Sequence, residues 1–233
     1  MVFEQSEEIQ DQLLDFIDRD ASLEPDIMAG NILGQFLSES VQTGQKIVQL
    51  IVRAADYNLA IGFLSSFGLQ MDVESLPADL GVTCFWNKYH ALSSEPLLKD
   101  IAPVQKEFHS LNEQHSDVAV LVTSGLIEPA AVSGNLRRVR ERFGPRDLLV
   151  VTPTATYDEI ETLDHYLRED RIYDARLLLA AEPSYRDRVR LRLKERQSHD
   201  IPGDTYRYPG DLDQLRERYI QYRVGRLTQG IQF

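Results

Sequence analysis

Three apolar runs in this chain stop abruptly in small polar residues, and those residues are the ones placed to do chemistry. Leu59–Leu64 is followed by Ser65, Ser66 and Gly68, Val118–Val122 by Thr123, Ser124 and Gly125, and Leu148–Val151 by Thr152, Thr154 and Thr156. If the runs are parallel strands of one sheet, their carboxyl ends gather these loops along a single edge. There they offer hydroxyls and backbone N–H groups to an anionic or polyhydroxylated ligand. The competing structural reason is that Ser, Thr and Gly are good turn and cap residues. The candidate ligand-binding set is therefore Ser65, Ser66, Thr123, Ser124, Gly125, Thr152, Thr154 and Thr156.

No phosphate or nucleophile motif accompanies them. The chain has no Gly-x-x-x-x-Gly-Lys-Ser/Thr loop, no Gly-x-Gly-x-x-Gly after a strand and no Gly-x-Ser-x-Gly elbow. His90, His109, His115, His165 and His199 show no metal-ligand spacing. His90 and His115 lie near strand boundaries and are the two candidates for acid or base work. Cys84, beside Phe85 and Trp86 in an apolar run, reads as a buried thiol rather than a nucleophile. No catalytic set, metal ligand or cofactor is assigned.

Arginines form three groups. Arg137, Arg138, Arg140, Arg142 and Arg146 crowd one helix end, where cations complement the dipole. Arg186, Arg188, Arg190, Arg192, Lys194 and Arg196 form the second group, and Arg216, Arg218, Arg223 and Arg226 the third. Arg188, Arg190 and Arg192 are the candidate nucleic-acid contacts, or contacts to an acidic partner such as a second subunit's N-terminal segment. Interleaved Asp187, Glu195 and Glu217 favour ordinary solvated faces with local ion pairs.

The bulk composition bounds these readings. The chain has 233 residues, 42% hydrophobic, enough for one large α/β domain. The net charge is −12, and residues 1–100 carry 16 of the 37 acidic but 5 of the 25 basic side chains. Nucleic acid is thus an open but unfavoured partner. The single cysteine excludes an intrachain disulfide and a cysteine-rich zinc site. No apolar run is long enough to span a bilayer, and the acidic start Met-Val-Phe-Glu-Gln-Ser-Glu-Glu lacks signal-peptide order. A cytoplasmic protein without membrane contact is expected.

The elements that must position the candidates follow from periodicity. Residues 1–55 read as a helical extension for packing or dimerisation, with apolar stripes at Ile9, Leu13, Phe16 and Ile17, then Met28, Ile32, Phe36 and Leu37, then Ile47, Leu50, Ile51 and Ala54. A helix-turn-helix reading of the same segment is opposed by its acidity. Residues 56–233 read as an α/β domain. Strands are expected at Leu59–Leu64, Gly81–Trp86, Val118–Val122, Leu148–Val151 and Ala175–Ala181, with a short last strand at Thr205–Tyr208. Helices are expected over Leu97–Phe108, over Val132–Phe143 with Gly144-Pro145 as its stop, and after Thr156, where Glu159 completes a capping box. A final helix runs through Leu215, Tyr219 and Tyr222, while Arg188–Lys194 fits a strand or a helix equally. The fold class is α/β, a single mainly parallel sheet of about five or six strands flanked by helices.

The stretch Ala54-Ala-Asp-Tyr-Asn-Leu-Ala-Ile-Gly-Phe-Leu-Ser-Ser-Phe-Gly-Leu69 resembles the opening of phospholipase D-like domains, and Asp147-Leu-Leu-Val-Val-Thr-Pro-Thr154 resembles the start of a second half. The resemblance covers about a quarter of the chain. Such enzymes use a His-x-Lys pair, and His115-Ser-Asp117 carries an acid in place of the lysine. The resemblance therefore implies a catalytically silent sensor or regulatory domain.

The expected function is a non-catalytic α/β protein that senses a small anionic ligand or mediates assembly as a homo-oligomer, within gene regulation. The alternatives are a phosphoester hydrolase using His90 or His115, and nucleic-acid binding through the arginine groups.

Overall fold

Ile47-Val-Gln-Leu-Ile-Val-Arg is apolar on both sides and rich in β-branched residues, a composition that suits a strand buried on both faces. A computed structural model of the chain describes residues 2–5, 25–40, 46–67, 75–87, 103–110, 115–126, 128–179, 212, 214–218, 220 and 221. The elements in order are β1 (Val2–Gln5), α1 (Pro25–Ser40), β2 (Ile47–Arg53), a 3-10 turn (Ala54–Asp56), α2 (Tyr57–Ser66), β3 (Asp79–Asn87), β4 (Val104–His109), β5 (Val118–Val122), α3 (Pro129–Phe143), β6 (Asp147–Thr152), α4 (Tyr157–Glu169) and β7 (Ala175–Leu179). Helical residues at 212, 214–218, 220 and 221 follow.

The strands form one seven-stranded sheet in the order β1-β7-β6-β5-β2-β3-β4. Every neighbouring pair is parallel except β3–β4. The mainly parallel α/β sheet expected from the sequence is thus present, with helices on both faces. Leu33, Leu37, Leu59 and Phe63 of α1 and α2 pack with Leu50, Val52, Val82 and Val120 on one face. Val132, Leu136, Val139 and Leu163 of α3 and α4 pack with Ile51, Phe85, Ala119 and Leu121 on the other. Successive strand residues alternate between these two cores, as the pleat requires. No helix among the described residues is long and apolar enough to cross a membrane.

Three sequence expectations change. Residues 47–53 are strand rather than helix: β2 is buried throughout its last six residues, with Val48, Leu50 and Val52 in one core and Ile51 in the other. Conversely, Leu59–Leu64 is helix rather than strand. Here α2 lies between α1 and the sheet and is therefore apolar around most of its circumference. Glycines let the two helices touch backbone to backbone: a Cβ at Gly62 would collide with the Ile27 carbonyl, and one at Gly30 with that of Leu59. The last part of the expected helix Leu97–Phe108 is the edge strand β4, paired antiparallel with β3. Pro103 cannot donate to a helical ladder, and the polar Gln105 and Lys106 suit a strand with one open edge.

These changes reach into the segment read as a helical extension. Residues 2–5 supply one edge of the sheet and residues 47–53 a central strand. The other elements match their expected places. Gly144 ends α3 with φ +58° and donates its N–H to Arg140 O. Thr156 and Glu159 form the reciprocal capping box at the start of α4. The helix expected over Ile9–Ile17, the segment Arg188–Lys194 and the strand Thr205–Tyr208 lie outside the described residues.

Candidate functional site

The chain leaves β2 through α2 toward β3 and leaves β5 through α3 toward β6, on the other side of the sheet. Strands β2 and β5 are neighbours, so the winding reverses between them. The carboxyl ends of two such strands diverge into a crevice, the usual binding position in an open α/β sheet.

A charged cluster lies at this position. Arg53, the last residue of β2, is 3% exposed, and its Nε donates to Asp56 Oδ2 at 2.7 Å. Its Nη1 donates to Glu128 Oε2 at 2.9 Å. Asp56, in the 3-10 turn, accepts at Oδ1 from the Ser124 hydroxyl at 2.6 Å and from the Ser124 N–H at 3.2 Å. Glu128 is the N-cap residue of α3, and its side chain is 14% exposed, the most accessible member of the ion cluster. Burial alone pulls the Arg53 guanidinium down, but Asp56 and Glu128 outweigh it and hold its pKa above the ordinary value. One buried cation faces two carboxylates. At the end of β3, Asn87 and Asn135 of α3 exchange reciprocal amide hydrogen bonds of 3.0 Å each.

Of the residues expected from the sequence, Thr123, Ser124 and Gly125 follow β5, while Thr152 ends β6 and Thr154 and Thr156 follow it, all at this edge. Thr123 donates its hydroxyl to Gly125 O at 2.9 Å, and Thr152 does the same to Thr154 O at 3.1 Å. Thr154 is 3% exposed. Thr156 is committed to its cap: its N–H donates to Glu159 Oε2 at 2.9 Å and its hydroxyl accepts from Glu159 N at 3.3 Å. The Ser124 donors are taken by Asp56. Ser65 and Ser66 do not join this edge, because they close α2, which runs back from it. Their hydroxyls donate to Ile61 O and Asn31 O, both at 2.7 Å. Gly68 lies outside the described residues.

His115 is exposed and sits beside Gly144 at the amino-terminal edge of the sheet, opposite the crevice. His90 and the arginines Arg188, Arg190 and Arg192 lie outside the described residues. Cys84 is fully buried in β3, and burial pushes its thiol up to about 12, which makes it inert. The α3 arginines have local partners: Arg137 pairs with Asp170 at 2.9 Å, Arg138 with Glu107 at 2.6 Å and Arg140 with Asp174 at 3.3 Å. Among the described residues no group of three or more His, Cys, Asp or Glu side chains could hold a metal ion.

Arg53, Asp56 and Glu128 were not among the sequence candidates. A signal existed: Arg53 ends an apolar run and Asp56 follows three residues later, but a helical reading of residues 44–55 makes Arg53 look like a solvated side chain. No protein-family model matches this chain, and no curated protein shows significant similarity to it.

Proposed function

We propose that this chain is a ligand-sensing α/β protein whose site is the crevice between the carboxyl ends of β2 and β5. The observation that carries the reading is the Arg53–Asp56–Ser124–Glu128 cluster at the point where the sheet reverses its winding. A ligand meeting this cluster meets an excess of negative charge. Its cation is already shared by two carboxylates, and the Ser124 donors already serve Asp56. A ligand that brings a positive charge or hydrogen-bond donors to Glu128 fits that balance better than a phosphate would. The buried part of the cluster keeps Glu128 in one orientation, which lowers the ordering cost of binding.

Thermal shift against a panel of amines, polyamines and cationic amino acids, run beside phosphorylated metabolites, tests the reading. A cationic member should raise the melting temperature, by an amount corresponding to about 2.7 kcal/mol at a hundredfold excess over its Kd. The shift should disappear in Glu128→Gln. No shift with any cationic member, or a shift that survives Glu128→Gln, would remove the crevice from consideration.

A further inference from the structure

A second polar cluster joins the antiparallel edge of the sheet to α3. Thr83 and His109 face each other across the β3–β4 ladder, with His109 Nδ1 2.9 Å from Thr83 Oγ1. The Gln49 side chain on β2 lies on the other side of that hydroxyl. With its amide oxygen turned inward, Gln49 accepts from the Thr83 N–H at 3.1 Å and from the Thr83 hydroxyl at 2.8 Å. Thr83 then gives its only proton to Gln49, so its oxygen must accept from His109 Nδ1–H. This fixes the tautomer and leaves a lone pair on His109 Nε2.

Nε2 is buried without a hydrogen-bond partner, and Glu107 Oε1 stands 3.5 Å from it. Two acceptors face each other, and a proton between them would turn the contact into a charge-assisted hydrogen bond. Glu107 is also the anchor for α3. Arg138 donates to its two oxygens at 2.6 and 3.3 Å, and Arg142 approaches at 3.8 Å. The imidazole packs edge-on against Phe85 of β3 and Phe143 of α3, with centroids 6.1 and 5.4 Å away. Thr83 and Gln49 are neutral, so Glu107, Arg138 and Arg142 supply the charges around the ring. Burial, then Arg142 and Arg138, hold the His109 pKa below its ordinary value against the pull of Glu107. The group is therefore neutral at pH 7 and takes up its proton on acidification.

We propose that His109 and Glu107 form an acid-sensitive latch: proton uptake at His109 Nε2 captures Glu107, weakens its hold on Arg138 and Arg142, and releases strand β4 from the carboxyl end of α3. A cation added beside two arginines that share one carboxylate also repels them directly. The latch lies apart from the β2–β5 crevice and does not depend on ligand binding there.

Side-chain 15N NMR on the full chain, followed from pH 8 to pH 4.5, reads the proton directly, and amide hydrogen exchange reads the strand. The expected result is an unprotonated Nε2 at neutral pH, a His109 midpoint below 6.5, and β4 amides whose exchange, corrected for its intrinsic pH dependence, rises about threefold on acidification. In His109→Gln the β4 amides should stay protected at both ends of the range. In Glu107→Gln they should exchange faster at both. A protonated Nε2 at neutral pH, or a His109 titration that leaves β4 exchange unchanged, would overturn the latch. So would the same acid response in His109→Gln. If His109→Gln does not fold, the wild-type titration and Glu107→Gln still decide the question.

Discussion

The crevice cluster and the β4–α3 cluster use the same residue types and differ in what surrounds them. In the crevice, the Arg53 and Asp56 side chains are 3% and 1% exposed, so their ion pair is shielded from water. At the sheet edge, the Glu107 side chain is 23% exposed and that of Arg138 54%, while a buried imidazole nitrogen beside them has no partner. A buried pair whose donors are shared out among fixed acceptors is held in one arrangement, because losing either partner strands a charge in a poorly polarisable interior. A partly exposed carboxylate with three cationic or protonatable neighbours can change partners at low cost. The first arrangement suits a rigid recognition surface and the second a response to conditions.

The sharpest way to break this contrast is to remove the crevice cation. Arg53→Met keeps much of the side-chain volume but leaves Asp56 and Glu128 facing each other without their shared partner. The expected loss is about 3–5 kcal/mol of unfolding free energy, read from urea denaturation at neutral pH. A loss below about 1 kcal/mol, the range of surface pairs, would mean that water reaches the crevice cluster as freely as the edge. Ser124→Ala is the next step down. Asp56 Oδ1 would lose its 2.6 Å hydroxyl partner while remaining buried, at a cost of about 1–3 kcal/mol.

How much of this was legible in the sequence depends on where each segment sits. Val118–Val122 and Leu148–Val151 were readable because a strand covered on both faces must be apolar throughout, and Thr156 with Glu159 because a capping box is a local pattern. Ile47–Arg53 and Leu59–Leu64 exchanged identities because both are buried from two sides. A segment apolar all round has no periodicity left to separate 3.6 from 2. The glycines at 30, 34 and 62 were the available sign that two helices pack closely there, yet they signal this only once the partner helix is known. The strand-end hydroxyls of Thr123, Ser124, Thr152 and Thr156 lie at the expected edge, but the first three donate to nearby backbone carbonyls or to Asp56, and the Thr156 hydroxyl accepts from the Glu159 N–H. That preference depends on distances no spacing rule supplies. Arg53, Asp56 and Glu128 come together from three parts of the chain, and only the topology brings them to one crevice.

The smallest expected effect sharpens the contrast most, because it separates the clusters by salt and by pH. Glu107→Gln removes a partly exposed carboxylate, so the loss should stay under about 1 kcal/mol and shrink further in about 1 M salt, where the Debye length falls to about 3 Å. The Arg53→Met loss should hardly respond to the same salt. The pH dependences differ in window but share a direction. Hydrogen bonding from Arg138 is the main effect holding the Glu107 carboxyl below its ordinary 4.5, so its contribution is present above that value and is lost as pH falls through the lowered one. The folded His109 is held below its ordinary 6.5, so the unfolded chain binds the proton first and stability begins to fall at higher pH. Urea midpoints measured across the acid range should therefore show two descents in the wild type. His109→Gln should flatten the upper one and Glu107→Gln should shallow the lower one. A single descent, unchanged by either substitution, would mean that the edge cluster is as fixed as the crevice and that the two regions differ in exposure alone.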